Sequence, residues 1–166
     1  MTKTEVCMST STEAMNLEVR PAACSSDGAA AKEETKLRSP DGRYAYNCTR
    51  QSFLASRLEV ASTHWQRLRG LLGTSPREFC PGCGLLIIPS HGVHTFGMRF
   101  SIDVLFLDEN NCVVSLEENV KPWRLTPVCL EAATVMELPS HTIWNTGTAL
   151  GDQIEIAFEA KHKVSA

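Results

Sequence analysis

Cys80, Cys83, His91 and His94 fall within fifteen residues in the spacing C-x2-C-x7-H-x2-H. All four are atom types that zinc favours. The gap between the pairs is shorter than in a zinc finger, and Cys83 leads straight into the apolar run "GLLII" (84–88). Two close cysteines can instead cycle between dithiol and disulfide, but no thioredoxin-like βαβ setting is read around them. The expectation is a reduced, metal-free pair in a loop and no cofactor, with zinc on Cys80, Cys83, His91 and His94 as the alternative.

The next stretch is a loop rich in polar and aromatic groups. His91, His94, Phe96, Met98 and Arg99 crowd nine residues that also hold Gly92 and Gly97, where a backbone can turn sharply or approach a ligand. Asp103 follows in "IDVLFLD", on the face of Leu105 and Leu107. A carboxylate there is costly to bury unless it is hydrogen-bonded or paired. The expectation is a latch, with Asp103 accepting hydrogen bonds from the His94–Arg99 segment. "KPWR" (121–124) sets an aromatic plate between cations, so Trp123 and Arg124 can stack on a ligand ring or hold an anion. His91, His94, Phe96, Met98, Arg99, Asp103, Trp123 and Arg124 are therefore the candidate binding residues. Walker, G-x-G-x-x-G, H-E-x-x-H and G-x-S-x-G motifs are absent. Trp65 and Trp144 are expected to pack in the core or on a helix face.

The elements that position these groups occupy only part of the 166 residues. Residues 1–42 hold five basic and seven acidic side chains and no aromatic residue; Ser, Thr, Ala and Glu dominate. Such a stretch buries too little apolar surface to offset roughly 1–2 kcal/mol per residue of backbone ordering, so 1–42 reads as a disordered arm. It lacks the apolar block of a secretory signal, and the chain has no apolar run long enough to span a bilayer. A net charge of −3 gives no footprint for nucleic acid. Cytoplasmic residence is the expectation. Seven cysteines, an odd number, argue against a disulfide framework.

Residues 43–166 read as one domain whose pattern is mostly of period two. "FLASRLEVAS" alternates as a half-buried strand. Thr63 and Gln66 form a capping box for a short helix, "HWQRLRGLL", that Gly73 can close. Strands follow at "GLLII", "IDVLFLD", "CVVSLEENV", "ATVMEL" and "GDQIEIAF", with "DENN" as a hairpin turn and a helical turn between Pro139 and Gly147. Six or seven short strands with two small helices make a compact mainly-β barrel or sandwich.

The runs "RLRGLLG", "CGLLIIPSHGVHTFGMRFSIDVLFLDENNCVV", "PWR", "VMELPSHT" and "GTALGDQIEI" are more specific than any period. Together they resemble the bacterial and archaeal domain-of-unknown-function family 192 over most of residues 53–158. The resemblance implies a small mainly-β domain and no established activity. The commoner family form carries Trp-Met-Lys-Asn-Thr where this chain has "HTFGM", so no role of that lysine or asparagine carries over. Ser101 stands where the family usually has proline. Two functional classes follow. One is a non-catalytic module binding a small molecule or protein through loop 91–99 and Trp123–Arg124. The other is a small metal-assisted or hydrolytic enzyme with His94 and Asp103 in its site.

Overall fold

The computed structural model describes residues 42–158. The arm expected over 1–42 lies outside them except for Gly42. Eight strands run in the order β1 (Arg43–Asn47), β2 (Ser52–Ala55), β3 (Arg57–Ala61), β4 (Cys83–Ile87), β5 (Ile102–Leu107), β6 (Val113–Val120), β7 (Thr134–Pro139) and β8 (Ile154–Phe158). Helix α1 (His64–Arg69) lies between β3 and β4, and α2 (Thr142–Thr146) between β7 and β8. The strands form a three-stranded sheet, β2-β1-β8, and a five-stranded sheet, β3-β4-β7-β5-β6. Among the described residues the sheets stay separate, so the mainly-β domain is sandwich-like and not a closed barrel.

The expected single strand "FLASRLEVAS" is two. Ser56 breaks it, and the peptide N–H groups of Ser56 and Arg57 both donate to Gly82 O at 2.9 Å. That corner sends β2 into the small sheet and β3 into the large one. No Gly or Pro marks the break, so the period-two pattern runs through it. β3 then pairs in parallel with β4, from Arg57↔Cys83 to Ala61↔Ile87. The crossover carries α1, and the two cysteines fall in the turn that ends it and leads into β4. The capping box at Thr63 and Gln66 is present as expected. The helix ends earlier than expected, because Gly70 rather than Gly73 takes the cap at φ 47°.

The large sheet is buried on both faces, which explains why β4, β5 and β7 are buried throughout. One face packs Leu58, Leu86, Leu105, Leu107, Met136 and Leu138 against Ala45, Leu54 and Ile154 of the small sheet. The other face packs Leu85, Ile87, Val104, Phe106 and Val135 beneath Leu71, Phe79 and Met98 from the connecting segments. Gly84 lies tight against β2; a Cβ there would sit 2.8 Å from Ala55 Cβ.

Candidate functional site

β7 is the central strand of the large sheet, and one of its residues is a carboxylic acid. Glu137 is paired with Leu85 on one side and Val104 on the other. It therefore stands on the face covered by α1 and the loops, where it is 2 % exposed. Its Oε2 has no hydrogen-bond partner. Burial disfavours the charged form, and the pKa rises from 4.5 to about 8. At neutral pH this side chain is mostly an uncharged acid that can donate a hydrogen bond.

A cavity of about 410 Å³ opens beside it. Its walls include His64 and Arg67 of α1, Gly70, the segment 87–94 and Glu137. Gly70 carries the backbone over the acid: a Cβ there would lie 3.8–3.9 Å from both Glu137 oxygens. None of the side chains of α1 is buried. Arg67 Nη1 reaches Ile88 O and Pro89 O only at 3.5 Å. The helix thus lies over the cavity with little anchorage in the core.

His94 lines the same cavity. Its Nδ1 is buried without a partner. Phe96 fixes the ring from outside by stacking at 5.4 Å and 20°, and Trp123 lies 6.1 Å beyond Phe96. Trp123 holds a positive φ of 64°. Thr95, wholly buried, straps these pieces together. Its N–H donates to Arg124 O, and its O accepts from Trp123 N, both at 2.9 Å. Its Oγ1 donates to Lys121 O at 2.7 Å and accepts from Arg124 N at 2.9 Å. A bridge between His94 and Leu125 continues the pairing. Loop 91–99 and residues 121–125 are thereby one surface, as sequence grouping had suggested, with Phe96, Trp123 and Arg124 exposed on it.

Three of the expected groups fall elsewhere. Asp103 is fully buried on the opposite face of the sheet, toward the small sheet. It accepts from Asn119 N and Ile143 N at 2.9 Å each, not from the His94–Arg99 segment. It is a latch between β5, the end of β6 and α2. Met98 is a core side chain. Arg99 is exposed beside a separate cleft formed with residues 72–76. The four zinc-type residues divide between two clefts: His91 and His94 line the Glu137 cavity, Cys80 and Cys83 another. Among the described residues no three His, Cys, Asp or Glu side chains converge as a metal site. Trp65 and Trp144, expected to pack, are each 77 % exposed. Both sit on helices of only five or six residues, too short to turn a wide face inward.

The DUF192 family model, described as "Uncharacterized ACR", matches residues 45–156. The chain belongs to this family. The matched region spans Glu137, His94 and the strap at Thr95. A UPF0127 protein of Thermococcus sibiricus is 32 % identical over 114 residues, covering 66 % of this chain and 71 % of that protein. Two solved structures share the fold seen here. A proposed transcription regulator of Sinorhizobium meliloti superposes with a TM-score of 0.54 at 25 % identity, over 60 % of this chain and 80 % of its own. A protein of unknown function from Novosphingobium aromaticivorans superposes with a TM-score of 0.56 at 18 % identity, over 71 % and 80 % respectively.

Proposed function

We propose that the domain binds a small organic anion, a carboxylate or phosphate, in the cavity beneath α1. One observation carries the reading: two buried polar groups without partners, Glu137 Oε2 and His94 Nδ1, belong to side chains that line one cavity. Most buried polar atoms are satisfied, so two such atoms together mark a place for a ligand. A cavity of about 410 Å³ lies within the range that small molecules occupy. The charges favour an anion. Arg67 is positive at the rim, Glu137 is an uncharged donor below a pH of about 8, and His64, His91 and His94 complete the ionisable lining. The weakly anchored α1 serves as a lid.

The enzymatic alternative takes Glu137 rather than Asp103 as the partner of His94, since Asp103 faces the other side of the sheet. An acid with a pKa of about 8 suits proton transfer near neutrality. It shares the binding step and differs only in turnover.

Amide NMR titration of the full chain with acetate, inorganic phosphate and phenyl phosphate, against methylamine and choline, tests the reading. The anions are expected to shift Gly70, Ile87, Gly92 and Val93 near pH 6.5, and to lose their effect near pH 9 as Glu137 ionises, both pH values being approximate. Glu137→Gln keeps a donor at every pH and should hold the anion at both. Shifts produced by the cations alone, or by no probe, would sink the proposal.

A further inference from the structure

A second cleft, of about 520 Å³, is lined by Arg57, Glu59, Arg77, Glu78, Cys80 and Cys83 among others. The segment Cys80-Pro81-Gly82-Cys83 forms a tight turn in which Cys83 N donates to Cys80 O at 2.9 Å. Gly82 has φ 87°, which gives proline and glycine the two central places of a type II turn. The turn is fixed from behind, since Gly82 O accepts from Ser56 N and Arg57 N. It leaves the two sulfurs 3.6 Å apart. The ends of such a turn lie within about 7 Å, the separation at which a disulfide can close without backbone movement.

The parallel register places Arg57 directly beside Cys83. Arg57 Nη2 lies 2.6 Å from Cys83 Sγ and 3.6 Å from Cys80 Sγ. One guanidinium therefore contacts both sulfurs, placed to hold negative charge that develops on either during exchange. The hydrogen bond to Cys83 in turn holds Arg57 above its ordinary pKa. Glu59 of β3, and Arg77 and Glu78 of the preceding segment, complete the charged lining; the hydrogen bond from Ser75 N–H holds Glu78 below its ordinary pKa. Cys112 has the opposite setting. Burial, with Asp108 and Asp152, pushes its thiol up.

We infer that Cys80 and Cys83 are a reversible dithiol that exchanges with a disulfide of the glutathione class. Cys80, the more exposed, attacks a sulfur of the incoming disulfide as its thiolate. The S–S bond breaks, and the departing thiolate takes a proton. Cys83, as its thiolate beside Arg57, then attacks Cys80 Sγ and expels the second thiol. The pair loses two protons and two electrons, and the incoming disulfide gains both and becomes two thiols. This site is independent of the anion cavity and stands whether or not that cavity binds.

Incubation of the full chain in oxidised and reduced glutathione, with peptide mass mapping, tests the inference. The tryptic peptide 78–99 holds both cysteines and is expected to lose two hydrogens, reversibly, while Cys112 stays a thiol. Cys83→Ala should instead trap one glutathione on Cys80. Arg57→Met, folded as judged by circular dichroism, should slow iodoacetamide labelling of Cys80 and Cys83 at neutral pH severalfold, with Arg57→Lys intermediate. The inference is overturned if peptide 78–99 keeps its hydrogens while other cysteines oxidise. It is equally overturned if Arg57→Met labels as fast as wild type, or if Cys80 labels no faster than Cys112.

Discussion

Replacing Glu137 by Gln removes a titration whose effect on stability can be worked from the structure. The acid ionises at about 8 in the folded chain against an ordinary 4.5, with desolvation as the cause. Below pH 4.5 both states carry the proton, and the group's contribution is fully present. Between those two values the unfolded chain has released the proton and the folded chain has not. The folded state binds more protons there, so stability falls as pH rises, by about 1.4 kcal/mol per pH unit. Above a pH of about 8 both states are ionised and the loss is complete. The full swing is on the order of 5 kcal/mol, a large part of the about 5–15 kcal/mol that holds a domain folded. Glu137→Gln cannot ionise. Urea titrations of wild type and variant near pH 5, 7 and 9, all approximate, should therefore diverge. The variant gains on wild type up to a pH of about 8 and then levels off, whatever its own fixed cost. Subtracting the two profiles cancels the histidines around the cavity and the rest of the chain. A difference that stays constant within about 1 kcal/mol across this range would refute the buried, uncharged acid, and with it the basis for an anion site.

Two further substitutions probe the scaffold around the site. Asp103→Ala orphans the peptide N–H groups of Asn119 and Ile143 and should cost about 3 kcal/mol by denaturant titration. Asp103→Asn retains an acceptor and should cost less. Thr95→Val keeps the shape but removes the hydroxyl that holds Lys121 O and Arg124 N, so it should cost about 2 kcal/mol and speed amide exchange at Trp123 and Arg124. Unchanged exchange there would mean that the backbone pairing alone holds the strap.

The elements were legible in the sequence wherever a local rule governs them. A capping box announces α1, and "DENN" announces the β5–β6 hairpin, where Asp108 Oδ1 caps the Asn110 and Cys112 N–H groups. The signal that singled out Asp103, one carboxylate interrupting apolar residues, is equally present at Glu137 in "TVMELP". It passed unnoticed because a polar residue in a strand of period two ordinarily faces water. Only the sheet order removes that outlet. β7 lies between β4 and β5, with the small sheet on one side and α1 and its flanking segments on the other. The same holds for the cysteines: spacing reads as a reduced pair, with zinc on His91 and His94 as the alternative, while the parallel register sets Arg57 beside them. Arg57 is twenty-six positions from Cys83, and no motif links the two. Both chemically distinctive places in this fold thus depend on which strands are neighbours. Loop composition pointed near them, and strand order decided that one is a buried acid with an unpartnered oxygen and the other a dithiol with a cation.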